Sequence, residues 1–184
     1  MTHATAEELD AALAAVRAAP ADEGAVQLIL RRPAIGEREV LAEAMLDAEV
    51  GLVGDNWQSR GNRKTPDGKA HPHMQLNIMG VRAITAIAGE RDNWAPAGDQ
   101  FFVDMDLSDA NLPPGTRLSL GDAEIEVTEI PHLGCQKFVE RFGRPAMQWV
   151  NSDTGKALNL RGINARVLRG GRVRVGDVLC KLQD

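Results

Sequence analysis

The two cysteines of the 184-residue chain stand in contrasting settings. Cys135 ends the segment Pro131-His132-Leu133-Gly134-Cys135, just beyond a run of strand-forming residues, where a turn can present a thiol to a cavity. A thiolate binds soft metals or attacks electrophilic sulfur, and nearby positive charge favours that form. Lys137, Arg141, Arg144 or a protonated His132 are candidates to supply it, and a helix starting at Gln136 would add its positive end. The competing reading of Cys135 is a small buried hydrophobe. Cys180, among Val178, Leu179 and Leu182 and with no adjacent histidine, fits core packing. Such different contexts favour two free thiols in a reducing cytoplasm over a disulfide.

His71, His73, His132 and Cys135 together would offer nitrogen and sulfur ligands for zinc, although the spacing has no paired-ligand knuckle. His132 reads better as a group that orients or protonates something beside Cys135. A second constellation is Arg161-Gly162-Ile163-Asn164-Ala165-Arg166, where two guanidinium groups flank a glycine that lets backbone approach a ligand. Arginine matches phosphate geometry bidentately, and Arg31, Arg32, Arg141 and Arg144 can join around an anionic cofactor. Any one of these arginines alone is more often a surface charge.

The formal charge of −5 gives no global attraction for nucleic acid or an anionic membrane. No apolar run is long enough to span a bilayer, and the N-terminus has no basic region followed by an apolar core, which points to the cytoplasm.

These residues need a scaffold. Thr5 and Glu8 read as a capping box that starts a helix reaching about Ala19, with Leu9, Leu13 and Val16 as its apolar stripe and Pro20 as its end. Ala25 to Arg31 predicts a strand, and Arg38 to Met45 an extended segment despite its helix-forming residues. Gly51 to His73 is broken by glycine, proline and asparagine into a long loop. A loop of that length suits a binding site or lid, so its Arg60, Arg63, Lys64, Lys69, His71 and His73 are candidate ligand contacts, or simply solvated charges. Val81 to Ala88 predicts a helix stopped by Gly89. Gln100–Leu107, Thr116–Leu120, Ala123–Ile130, Ile163–Leu168 and Val173–Leu182 predict strands joined by short turns, with short helices between Cys135 and Val150 interrupted at Gly143 and Pro145. Strands linked this way favour a closed or partly open β-barrel, a mainly β fold with peripheral helices (α+β). Residues 1–24 form an N-terminal helical extension to a domain at 25–184.

Several motifs become informative together: Gly98-Asp99-Gln100-Phe101-Phe102-Val103-Asp104, Asn111-Leu112-Pro113-Pro114-Gly115, Gly121-Asp122, Pro131 to Cys135, Lys137-Phe138, Arg141-Phe142-Gly143, Arg161 to Val167 and Val175-Gly176-Asp177. With Arg32-Pro33 and Gly51-Leu52-Val53-Gly54-Asp55, their order resembles the MOSC domain, the fold of the C-terminal part of molybdenum-cofactor sulfurases, over most of the chain after about residue 25. The resemblance implies a β-barrel that binds the molybdenum cofactor. It makes Cys135 a molybdenum ligand or sulfur carrier, with basic residues at a barrel mouth on the pterin phosphate: Arg32, Arg161 and Arg166, joined by Asn164 and Arg141. It implies a cysteine desulfurase-like sulfur donor or a redox partner. The alternative activity is molybdenum-dependent reduction of N-hydroxylated compounds with an external electron donor. Pyridoxal phosphate is also associated with the family, but the chain has no lysine motif for a Schiff base. The extra N-terminal barrel and redox modules of larger relatives are not expected here.

Overall fold

The computed structural model describes residues 3–62 and 65–182. Helices α1 (Ala6–Ala11) and α2 (Leu13–Arg17) precede strand β1 (Glu23–Arg31), followed by β2 (Glu39–Leu41), β3 (Glu43–Asp47), β4 (Gly51–Leu52) and helix α3 (Trp57–Arg60). Strand β5 (Leu76–Gly80) runs directly into α4 (Val81–Ala88), and β6 (Phe101–Val103), β7 (Arg117–Leu120) and β8 (Ala123–Val127) follow. The chain ends with α5 (Gln136–Asn151), α6 (Asp153–Ala157), β9 (Ile163–Arg169), β10 (Gly171–Arg174) and β11 (Val178–Lys181).

Strands pair in the order β11-β7-β8-β9-β5-β6-β1, and β1 also pairs with β11, which closes a seven-strand barrel with helices around it. Strand β2 extends the sheet beside β1, and β10, β3 and β4 make a small second sheet. The ladders are antiparallel except β5–β6. A parallel pair needs a crossover, and here α4 and the 3₁₀ turns Arg91–Asn93 and Ala95–Ala97 provide it. That crossover delivers Gly98 and Asp99 to the start of β6.

Strand alternation separates two cores. Ile29, Ile78, Phe101, Ile125, Ala165 and Leu179 fill the barrel, so it is a packed interior and not a pore. On the outside, Met79 and Phe102, one residue on from Ile78 and Phe101, pack with Leu9, Ile84, Phe138 and Phe142 of the helices. Burying such side chains contributes roughly 1.5–3 kcal/mol each.

Local signals mostly hold. The capping box forms, with the Thr5 amide donating to the Glu8 carboxylate at 2.8 Å and the Glu8 amide to Thr5 Oγ at 3.3 Å, but the expected single helix divides at Ala12. Residues 39–47 are strands because β1 and β10 supply partners, and pairing outweighs helix propensity. The long loop carries β4, α3 and a 3₁₀ turn at Pro72–Met74; Arg63 and Lys64 lie outside the described residues. Among the described residues no helix is long and apolar enough to cross a membrane.

Candidate functional site

The charged centre of the molecule is a buried carboxylate. Asp99 has no exposed surface, and Arg161 Nη1 donates to both of its oxygens at 2.8 and 2.7 Å. Arg161 comes from the segment before β9. Its neighbour Gly162 has φ +103, and a Cβ there would lie 2.3 Å from the Ile78 carbonyl, so glycine lets the chain close onto β5 at this point. Phe138, in the first turn of α5, covers the guanidinium at 4.9 Å.

Arg32 follows β1 and is also buried. Its backbone and side chain donate to Asp55 at 2.8–2.9 Å, and Nη1 donates to Asn77 Oδ1 at 3.1 Å. Asn77 on β5 donates to Asn164 Oδ1 at 2.7 Å, and Asn164 on β9 donates to the Ile130 carbonyl at 2.9 Å. This chain of bonds therefore runs from the long loop across β5 and β9 to the segment that leads to His132.

One turn organises the arginines. Arg141 donates to the Pro96 carbonyl at 2.9 Å, Arg161 to Ala97 at 3.1 Å and Arg32 to Gly98 at 3.1 Å, so three consecutive carbonyls each hold a different guanidinium. Arg38 lies against the same turn, with Nη2 at 3.0 Å from the position of a Cβ on Gly98. Burial, then the guanidinium of Arg141, lowers Arg38 from its usual range; burial, then Arg32, lowers Arg60. Neither Arg38 nor Arg60 makes an ion pair with a described residue. Arg32, Arg38, Arg60, Arg141 and Arg161 thus share a region in which, among the described residues, Asp55 and Asp99 are the charge-balancing carboxylates. Carbonyls orient the arginines without neutralising them. Nε of Arg38 and Nε of Arg161 are buried without acceptors.

His132 borders this region, with Nδ1 3.4 Å from Asp99 Oδ1. The contact is close electrostatically, but its geometry leaves Nδ1 without a hydrogen bond. Burial, followed by the charges of Arg161 and Arg32, holds His132 well below the usual histidine range. Burial first, and then these two guanidinium groups, therefore work against the protonated His132 expected beside Cys135.

Cys135 is exposed at the N-cap of α5, where its carbonyl accepts from the amides of Phe138 and Val139 at 2.9 and 3.2 Å. Gly143, with φ 85 and ψ 165, divides α5 into two helical halves. Asn151 in the second half clamps Gly134 by bonds of 2.8 and 2.9 Å, which fixes the loop between His132 and Cys135. Cys180 is half-buried on β11.

Other expectations sort differently. Arg166 shares the outward face of β9 with Asn164, but it is paired with Glu126 at 2.8–2.9 Å. His73 is held by Glu129 at 2.9 Å, and its amide donates to His71. Among the described residues no three His, Cys, Asp or Glu side chains converge to hold a metal, so the zinc set of His71, His73, His132 and Cys135 does not assemble. The arginines are not inside a barrel mouth. They lie on the outer wall, between β5, β9 and the helices, because inward strand positions are taken by the apolar core. The mouth instead holds an apolar cavity of about 510 Å³ bordered by His132 and Asn164. Sequence reasoning gave no role to Asp99, Asp55, Asn77 or Arg38.

The donor set suits a phosphate-bearing cofactor: unmatched guanidinium charge, unpartnered buried N–H groups, and an exposed soft sulfur on the adjoining loop. The fold occurs in solved structures. The YuaD protein from Bacillus subtilis superposes with a TM-score of 0.60 at 17% identity, covering 88% of this chain and 97% of its own. YiiM from Escherichia coli gives 0.55 at 21% identity over 87% of this chain and 70% of its own, and YiiM from Geobacillus stearothermophilus 0.54 at 14% over 87% and 73%. Comparison with curated proteins returns no match. Residues 88–179, half of the chain, match the MOSC domain and contain Asp99, His132, Cys135, Arg141, Arg161 and Asn164; the chain belongs to the MOSC domain family, which in general binds the molybdenum cofactor.

Proposed function

We propose that this chain binds the molybdenum cofactor and carries sulfur, or the cofactor itself, through Cys135. The observation that supports this most is the gathering of Arg32, Arg38, Arg141 and Arg161 at the 96–98 turn, with Arg60 near Arg32 and with Asp55 and Asp99 as counter-charges. A phosphate monoester would supply the missing negative charge and accept from the Arg38 and Arg161 N–H groups that have no acceptor. Arg32 and Arg161 would hold it with Arg141, while Asn77 and Asn164 keep Arg32 in register. Arg166 would take part on release from Glu126. Bound there, the cofactor supplies a redox-active metal whose soft ligand is a thiolate.

As a carrier, the Cys135 thiolate attacks the outer sulfur of a persulfide on a cysteine desulfurase-like donor. That sulfur–sulfur bond breaks, the donor leaves as a thiolate, and Cys135 keeps the transferred sulfur. Such a thiol works in a reducing compartment, the cytoplasm.

Anaerobic reconstitution followed by elemental analysis tests cofactor binding, and intact mass after exposure to a desulfurase and cysteine tests carriage. We expect molybdenum near one equivalent and a mass gain of one sulfur atom, both lost in Cys135→Ser with the fold intact. Molybdenum and sulfur uptake unchanged by Cys135→Ser would overturn the role of this thiol.

A further inference from the structure

The 510 Å³ cavity at the barrel end is separate from the arginine cluster and shares with it only the His132–Asn164 border. Its volume is in the range of small-molecule sites. Leu112, Val127 and Ile163, whose side chains belong to the barrel core, form its floor, and Pro114, Ile130 and Leu133 form its walls. Glu129 and Lys156 stand at its border, where Glu129 is already engaged by His73 and Lys156 is exposed.

Among the other polar residues of the lining, Thr128 donates to the His73 carbonyl and Asn159 donates to the Leu107 carbonyl and to Asp109, whereas His132 Nδ1 has no hydrogen bond. His132 turns its buried Nδ1 toward Asp99, whose two oxygens accept from Arg161. With the proton of a neutral imidazole on the nitrogen that faces Asp99, Nε2 is an acceptor. Nδ1 is fully buried, while the side chain as a whole keeps 15% of its surface exposed and the residue lines the cavity. Asn164 is already engaged at both ends, its oxygen accepting from Asn77 and its nitrogen donating to Ile130.

We infer that this cavity is a binding site for a small, flat, largely apolar organic molecule carrying one N–H or O–H donor, which it presents to His132. The aliphatic and proline walls receive the ring by burial of apolar surface, and His132 selects for the donor. The inference stands on the cavity and the imidazole, and it holds whether or not the arginine cluster carries molybdenum.

The test uses the purified, cofactor-free chain labelled with ¹⁵N, titrated with indole and with 1-methylindole, which lacks the donor. Indole should shift the amides of Thr128, Ile130, Leu133 and Asn164 saturably, and 1-methylindole should bind at least about fivefold more weakly, the worth of one ordinary hydrogen bond. His132→Phe keeps a ring in place and should bring the two affinities together. Leu133→Trp, at an exposed loop position, should weaken both while the dispersed spectrum reports an intact fold. No saturable shift with either compound, shifts confined to other residues, or equal affinities in the wild-type chain would overturn the inference. So would displacement of indole by reconstituted cofactor, since that would make the cavity the pterin's own site. Failure to retain molybdenum leaves this experiment unaffected, so the two proposals fail separately.

Discussion

The wall made by β5 and β9 has two faces with opposite chemistry. Inward, Leu76, Ile78, Ile163, Ala165 and Val167 are apolar and closed against the barrel core. Outward, Asn77 and Asn164 bridge Arg32 to the loop before His132, beside the Asp99–Arg161 pair. A strand that alternates every residue serves both faces at once. The difference lies in how each face fails. Losing a methylene inside leaves a small void whose cost grows with its volume. Losing a partner outside leaves a buried charge or amide with nothing to bond, and the penalty belongs to the group that remains.

The sharpest way to break this comparison is to remove the carboxylate. Asp99→Ala leaves Arg161 buried with a carbonyl as its remaining oxygen partner, and urea denaturation should show a loss of about 3–5 kcal/mol. Ile78→Val, on the other side of the same wall, should cost about 0.5–1.5 kcal/mol. A smaller loss for Asp99→Ala than for Ile78→Val would mean that water reaches Arg161 freely and that the outer face is not a sealed network.

Protonation breaks the outer face without a large change of shape. Because His132 titrates well below the usual histidine range in the folded chain, the unfolded chain binds more protons once pH falls below about 6.5. The sign follows: this contribution is intact above that pH and is lost on acidification, by about 1.4 kcal/mol per pH unit until the folded-state value is reached. Asp99 pulls in the opposite direction at lower pH, since burial raises its carboxyl. The slope due to His132 is therefore read as the difference between the wild type and His132→Phe, in which Asp99 is kept. Parallel stability curves for the two proteins between pH 6.5 and 5 would show that His132 is solvated and chargeable.

The inner face was largely legible in the sequence. Alternation in residues 25–31 and 123–127, the turn at Gly121-Asp122 and the helix stop at Gly89 are local signals that survive in the fold, whereas Gly171 opens β10, which pairs with β3 and not with β9. The outer face was legible only in part. Cys135, His132, Arg32, Arg161 and Asn164 stood out by residue type and motif, but Asp99 reads as an ordinary turn residue before a strand. What gives it meaning is Arg161, 62 positions away, and such a pairing exists only once the crossover has laid residues 95–99 against β9. Arg38 escaped for a related reason, since its local context is a short extended segment and its neighbours Arg32, Arg60 and Arg141 come from three other parts of the chain. The placement of the arginines at a barrel mouth was not legible, because Arg32 follows β1, Arg161 precedes β9 and Arg141 lies on α5, so the side of the wall they reach is set only when these elements pack together.

Arg166 gives the finest test of where the outer face ends. It lies two residues beyond Asn164 on the same side of β9, so alternation alone would count it with the buried network. Its side chain is nevertheless 40% exposed and its partner Glu126 23% exposed, and water screens a pair of that kind. Glu126→Ala should therefore change stability by no more than about 1 kcal/mol, with any effect shrinking as salt is raised, while the Asp99 variant remains costly at high salt. Freed from Glu126, Arg166 would add to the positive charge of the wall, so phosphate binding measured by calorimetry should strengthen in Glu126→Ala if this arginine belongs to the anion site. Unchanged phosphate affinity with unchanged stability would draw the boundary of the site at Asn164.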